Sequence, residues 1–234
     1  MSEALSAILL DLDGTLVDSA PELAQAVNEA FKPLGRRELG GNEIRNMIGK
    51  GIPVLTQRAL AATGNMPDKD ATQQIIDRVR SIYDTLPPPR VYDGVGDTLA
   101  QWHQWGLTLI ICTNKPEISA RRLIAALGFN RFIATLAGGD TYPKRKPHPH
   151  HLLQPLLDLG LGPGAAIMVG DSQIDARAAH DANIPFIAVS YGYDDETDLT
   201  LDAAHTVECF ADITDVVIQL AEKRGFAFPP WREV

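Results

Sequence analysis

Cysteine is scarce: the 234-residue chain carries two, Cys112 and Cys209. Two are too few for a disulfide framework or a Cys-based zinc site, and Cys112 lies inside an apolar run, as a small buried hydrophobe would. Basic residues are outnumbered: 21 Lys and Arg against 30 Asp and Glu leave a formal net charge of −9 with neutral His. That balance argues against a general affinity for nucleic acid, which needs clustered Lys and Arg, and against a polybasic membrane surface. It leaves an anionic small substrate open, because a cation and a few basic side chains can make a local positive pocket. No apolar stretch approaches the ~20 residues of a membrane span. Residues 1–10 contain Glu3, no basic stretch and no cleavage-site pattern. The phosphate-loop string G-x-x-x-x-G-K-[ST] is absent, and so are internal repeats and low-complexity tracts. These absences predict a soluble, cytoplasmic protein in a reducing compartment.

What is present is ordinary globular material, 45% hydrophobic and 22% charged, enough to bury a sizeable core. The length allows one large domain or two smaller ones. Short, continuously apolar runs occur at residues 7–10, 107–112, 165–169 and 185–189, and another strand is expected at 133–137. Strands of this kind suit a parallel sheet covered on both faces. Amphipathic segments lie between them, at residues 94–105, 116–127, 148–159 and 172–182. The alternation predicts an α/β fold with a doubly wound, Rossmann-like parallel sheet. Residues 20–86 break it. They read as helices over 21–31, 44–48, 53–62 and 69–83, without a convincing strand, and Pro87-Pro88-Pro89 closes them with a stiff extended connection. The expected organisation is therefore an α/β core of residues 1–16 and 87–234, with an all-helical domain of residues 17–86 inserted after the first strand.

Polar groups gather where the apolar runs stop. Asp11 and Asp13 follow the first run, Thr113 and Asn114 the second, and Asp171 with Asp175 the third; Lys146 falls in the loop after the strand at 133–137. In open α/β sheets ligands bind outside the carboxyl ends of the strands, so adjacent parallel strands would bring these groups together. Clustered carboxylates repel unless a cation sits among them, and an all-oxygen site of few carboxylates suits Mg²⁺, which often bridges to phosphate. A carboxylate such as Asp11 can attack phosphorus. Gly14 lets the chain turn, so that Asp13 can swing toward a leaving group as general acid and then base. Thr113 would hydrogen-bond a phosphoryl oxygen, and Lys146 would oppose the charge spread over the phosphoryl oxygens in the transition state.

The string Asp11-Leu12-Asp13-Gly14-Thr15-Leu16-Val17-Asp18-Ser19 resembles the first motif of the haloacid dehalogenase superfamily of phosphohydrolases. Thr113, Lys146 in Lys146-Pro147-His148-Pro149, and Gly170-Asp171-Ser172 with Asp175 are similar to its second, third and fourth motifs, in the expected order. The helical insert resembles that superfamily's cap domain. Thr113-Asn114-Lys115-Pro116, Gly138-Gly139-Asp140, and Ile48-Gly49-Lys50-Gly51 followed by Arg58-Ala59-Leu60 resemble the phosphoglycolate phosphatase subfamily, with Lys50 where Asn is frequent there. The resemblance implies a Mg²⁺-dependent phosphomonoester hydrolase working through an aspartyl-phosphate. Asp11 would be the nucleophile and Asp13 the acid and base. Thr113 and Lys146 would complete the catalytic set, and Asn114, Gly49, Lys50 and Arg58 would lie on the substrate. Metal ligation would fall to Asp11, Asp13 (through its backbone carbonyl), Asp171 and Asp175, the last either ligating or orienting Lys146 or a metal-bound water. By resemblance the substrate is 2-phosphoglycolate, hydrolysed by a monomer or homodimer. A phosphatase for another small phosphorylated metabolite, a phosphomutase, and a non-catalytic Mg²⁺-binding module remain alternatives.

Plainer roles are expected elsewhere. Ser19 is expected to cap the helix starting at Pro21, and Asn183 to end the helix over 172–182 in the left-handed region. Trp102 and Trp105 should cover a helix–sheet interface. Lys144 and Arg145 read as surface. His148, His150 and His151 lack the second ligand cluster of a transition-metal site and read as structural. Pro229-Pro230-Trp231 suggests docking of the tail on the surface.

Overall fold

Short, mostly apolar runs of three to five residues form the strands of one sheet in the computed structural model, which describes residues 4–193, 203–223 and 225. Pro229-Pro230-Trp231, expected to dock on the surface, lies outside the described residues. The strands are β1 (Ala7–Leu10), β4 (Thr108–Cys112), β5 (Ile133–Ala137), β6 (Ala166–Gly170), β7 (Phe186–Val189) and β8 (His205–Val207). They pair in the order β5-β4-β1-β6-β7-β8, and every pairing is parallel. Chain order runs outward from β1 to β4 and β5 on one side, then to β6, β7 and β8 on the other. The switch in direction therefore falls at β1, where a doubly wound sheet opens a crevice.

The sheet's two faces are separated by the strand alternation of period two. Ile8 and Leu10 of β1, Leu109 and Ile111 of β4, Ile167 and Val169 of β6, and Ile187 and Val189 of β7 enter one apolar cluster. Ala7 and Leu9, Ile110 and Cys112, Ala166 and Met168, and Phe186 and Ala188 enter the other. Helices α5 (Val95–Gln104), α6 (Glu117–Ala126) and α9 (Ile213–Lys223) cover the first face with Leu99, Trp102, Leu123, Ile124, Val217 and Leu220. Helices α7 (His150–Asp158) and α8 (Gln173–Asp181) cover the second, largely through Leu152, Leu156 and the alanines 176, 178 and 179. Trp102 is fully buried and Trp105 packs beside it, as expected of an interface pair. Asn183 ends α8 with φ 55°.

The chain divides into two compact units, Met1–Val17 with Val91–Val234, and Asp18–Arg90. Two short strands, β2 (Val17–Asp18) and β3 (Arg90–Val91), make a separate two-stranded sheet. The second unit is helical: α1 (Ala20–Phe31), α2 (Gly41–Arg45), α3 (Ile52–Thr63) and α4 (Lys69–Tyr83). Its own core contains Leu23, Val27, Phe31, Ile44, Leu55, Leu60, Ile75 and Val79. The helix expected at 44–48 begins earlier, at Gly41, because Gly40 takes the cap position and the Glu43 carboxylate reaches back to accept from its N–H at 3.0 Å. Ser19 stands at the N-cap of α1, but its side chain makes no cap hydrogen bond. Instead Asp18 Oδ1 accepts from Ala20 N at 3.3 Å, while Asp18 Oδ2 holds Arg45 at 2.7 Å. The neighbouring carboxylate, a better acceptor than a hydroxyl, has taken the capping role.

β1 is central and closed on both faces, so truncating it leaves a void that neither helix layer can fill. Ile8→Ala should cost about 2–5 kcal/mol, read as a lower urea midpoint with an unchanged slope; a loss below about 1 kcal/mol would contradict the closed core.

Candidate active site

Each polar group flagged in the first unit follows a strand of the one parallel sheet. Asp11 follows β1, Thr113 and Asn114 follow β4, and Asp171 and Asp175 follow β6. Lys146 comes from the loop between β5 and α7. All of Asp11, Thr113, Asn114, Lys146, Asp171 and Asp175 are buried. Lys146, at 3% exposure, contrasts with its exposed neighbours Lys144 and Arg145. Its ammonium lies 2.7 Å from Asp11 Oδ1 and 2.5 Å from Asp175 Oδ1.

Asp11, Asp171 and Asp175 each offer an oxygen within 4.8 Å of the others. Two of these buried carboxylates meet the one ammonium, and the third lies beside them. Burial pushes the Asp11 carboxyl up to about 7, an effect that Lys146 opposes and Asp175 reinforces. Burial likewise lifts Asp171 well above the usual carboxylate range, with Asp11 and Asp175 adding to the shift. Burial works against the Lys146 charge, yet Asp11 and Asp175 outweigh it and hold the ammonium above its ordinary value. The local excess of negative charge and the all-oxygen donor set fit a hard divalent cation.

The individual carboxylates are aimed differently. Asp171 accepts from Thr15 Oγ1 at 2.9 Å on one oxygen and from the Tyr193 backbone N–H at 2.9 Å on the other. Gly14, at φ 89°, turns the chain beside it; a Cβ there would lie 2.1 Å from Asp171 Oδ2. Asp175 has Lys146 on Oδ1, while its Oδ2 accepts from Ser172 Oγ at 2.6 Å in a capping box that starts α8.

Asp13 is turned away from the three-carboxylate cluster. Both its oxygens bind the Lys115 ammonium, at 2.9 and 3.0 Å. Thr113 Oγ1 accepts from the Lys115 backbone N–H at 3.2 Å, and Asn114 Nδ2 donates to the Lys146 carbonyl at 3.1 Å. Sequence reasoning quoted Lys115 but gave it no role; the question of which cation partners Asp13 would have found it. His151, set aside as structural, also touches this machinery: it accepts from the Lys146 N–H at 3.2 Å. In the helical unit, Gly49 and Gly51 take positive φ around the exposed Lys50, and Arg58 donates to the Met47 carbonyl at 3.3 Å. Cys112 lies beneath the site at the end of β4, its thiol pushed up to about 12 by burial.

A family model described as haloacid dehalogenase-like hydrolase matches residues 8–189. The chain belongs to that family. A phosphoglycolate phosphatase of Agrobacterium fabrum is 34% identical over 222 residues, 94% of this chain and 95% of the relative. One of Rhodospirillum rubrum is 38% identical over 215 residues, covering 89% of each. Among solved structures, one described as a predicted phosphoglycolate phosphatase from Haemophilus somnus superposes with a TM-score of 0.86 at 30% identity, covering 91% of this chain and 98% of that one. No helix among the described residues is long and apolar enough to cross a membrane.

A cation that relieves the cluster must compete with protons for the same carboxylates. At about 100 times its dissociation constant such a cation contributes ~2.7 kcal/mol, which corresponds to a Tm rise of roughly 5–10 °C for a chain of this size. Burial shifts both Asp11 and Asp171 toward the protonated form in the folded state, and Asp11 gives up its proton as pH rises through about 7. The cation-induced rise in Tm should therefore be larger at pH 8 than at pH 6. Thermal scans with and without the cation check this, and an increment independent of pH would contradict it.

Proposed function

We propose that the chain is a Mg²⁺-dependent phosphomonoester hydrolase that works through an aspartyl-phosphate, with 2-phosphoglycolate as its substrate. The observation that carries the chemistry is the separation of two nearby carboxylates. Asp11 sits in the buried cluster against Lys146, and Asp13, two residues on, is held apart on Lys115. The relatives from Agrobacterium fabrum and Rhodospirillum rubrum, both phosphoglycolate phosphatases, support the substrate. The Asp11 side chain, the Asp13 backbone carbonyl and Asp171 would hold Mg²⁺, which when bound opposes the negative charge of the phosphoryl oxygens.

Asp11 is the nucleophile. Its carboxylate attacks phosphorus as the ester oxygen departs, and Asp13 delivers a proton to that oxygen. Asp13 then takes a proton from water, which attacks the phosphorus of the aspartyl-phosphate and returns Asp11 free with inorganic phosphate. Lys146 stabilises the charge on the phosphoryl oxygens, and Thr113 donates its hydroxyl to one of them. Asn114 fixes the Lys146 loop through the carbonyl of Lys146. Gly49, Lys50 and Arg58 are assigned to recognition of the substrate's carboxylate end, on the family resemblance.

Phosphate release with Mg²⁺ over a panel of phosphomonoesters, with Asp11→Asn as control, tests the proposal. The expected result is the highest kcat/KM for 2-phosphoglycolate and no release by the variant above background. Another preferred ester would overturn the substrate, and rapid isomerisation with slow release would point to a phosphomutase. No release at all would remove the hydrolase reading.

Lys115 supplies a second test of roles. If it places Asp13 for proton delivery, Lys115→Met should lower kcat by about 10-fold or more for alkyl phosphates, a part of the 10²–10⁴ that general acid catalysis contributes. An aryl ester such as p-nitrophenyl phosphate, whose leaving group needs little protonation, should lose much less. Equal losses on both would contradict this role.

A further inference from the structure

The site's most buried imidazole has no part in the chemistry above. His151 lies in the first turn of α7 and is 0% exposed. Both its ring nitrogens are engaged. Nδ1 accepts from the Lys146 backbone N–H at 3.2 Å, and Nε2 faces the Gly138 carbonyl at 3.0 Å. An N–H can only donate and a carbonyl can only accept, so the ring is neutral and carries its proton on Nε2. Burial, followed by the nearby Lys146 charge, lowers the imidazole to about 4, which agrees with a ring that stays neutral.

Gly138 ends the run out of β5, and Lys146 stands at the far end of the same loop. His151 therefore ties the two ends of this loop to the start of α7. Asn114 holds the same residue from the other side, through the Lys146 carbonyl. The Lys146 peptide groups are thus fixed by two side chains, while its ammonium is fixed by Asp11 and Asp175. A lysine side chain has four rotatable bonds, and holding it on one spot calls for a fixed root as well as a fixed tip.

We propose that His151 is a positioning residue: its Nδ1, as acceptor of the Lys146 N–H, sets the root of the lysine that stabilises the phosphoryl group. This rests on the phosphatase reading for its kinetic consequence, although the hydrogen bond itself does not. The role is distinct from filling the core, because it resides in one nitrogen. Asn places a side-chain oxygen near the Nδ1 position, whereas Gln extends to the Nε2 position. His151→Asn can keep the acceptor for Lys146, and His151→Gln can keep only the contact to Gly138. A mere packing role would rank the two by volume, with Gln the better replacement.

The experiment compares kcat and KM for His151→Asn, His151→Gln and His151→Leu with the wild type, alongside long-range ¹H–¹⁵N spectra of the wild-type imidazole. The expected result is His151→Asn within about 3-fold of wild-type kcat, with Gln and Leu reduced by about 10-fold or more at similar KM, as a displaced catalytic group would give. The spectra should show a neutral ring protonated on Nε2 at pH 7. Equal losses in Asn and Gln, or a smaller loss in Gln, would overturn the proposal. So would a ring protonated on Nδ1, a readout that holds even if a variant fails to fold. A wild type without phosphatase activity would sink the functional reading instead; the spectra, with the protection of the Lys146 amide against exchange in wild type and His151→Leu, would then decide the hydrogen bond alone.

Discussion

One ammonium among three buried carboxylates governs this structure. Lys146 meets Asp11 and Asp175 at 2.7 and 2.5 Å, and Asp171 offers an oxygen within 4.8 Å of theirs. Charges this close in a poorly solvated site interact by several kcal/mol each, even at an effective dielectric near 20. A single lysine cannot balance them, so the cluster stays electrostatically unfinished. Proton uptake is one relief, visible in the upward shifts of Asp11 and Asp171. A divalent cation is the other. The same imbalance that costs stability in the folded chain is what makes the site a receptor for positive charge.

The sheet is what makes the crowding possible. β1 lies at the switch point with β4 and β6 on either side, so the residues leaving three neighbouring strands must meet. Strands in hydrogen-bonded register sit roughly 4.8 Å apart, which sets the spacing of the groups that follow them. Small residues bring the helix carrying Asp175 close: Ala176, Ala178 and Ala179 of α8 pack with Ala166 and Ala188 of the sheet. Gly170 serves the same approach, since a Cβ there would lie 2.6 Å from Asp175. Bulkier residues on this face would lift α8 and take the Asp175 carboxylate off Lys146.

Where each feature could be read depended on how local its cause was. β1, β5 and the helix α4 match residues 7–10, 133–137 and 69–83 because the apolar pattern and its breakers are contiguous. Asp11, Thr113 and Asp171 were legible because each stands at the end of an apolar run, and Lys146 because of its Lys146-Pro147-His148-Pro149 context. β8 is harder to read: three residues, His205–Val207, of which one is partly buried and one exposed, leave little pattern. The start of α2 was misplaced because its cause is the Glu43 carboxylate reaching back to Gly40, a contact that apolar periodicity does not contain. Ser19 was credited with a cap that Asp18 makes, since composition alone cannot rank two adjacent acceptors. Lys115 and His151 escaped for a third reason. Their partners, Asp13 and Lys146, are 102 and 5 residues away, and only the fold decides that those groups face each other.

Two lysines divide the labour of two aspartates. Asp11 and Asp13 are chemically alike and nearly adjacent, so the sequence offers no intrinsic reason for one to attack and the other to move protons. They nonetheless meet different cations, Lys146 and Lys115. Asp11 has its Oδ1 2.7 Å from the Lys146 ammonium, beside the carboxylates of Asp171 and Asp175. Asp13 is drawn outward to Lys115, in a less enclosed position and clear of the cluster. A nucleophile benefits from fixed direction, whereas a group that gives and then takes a proton needs room to move between two partners. In the proposed reaction these different environments would tell the two carboxylates apart, in keeping with the general rule that paired acids are distinguished by what surrounds them. That assignment in turn depends on Lys146 being held at root and tip, so that its charge remains with Asp11 and not with Asp13.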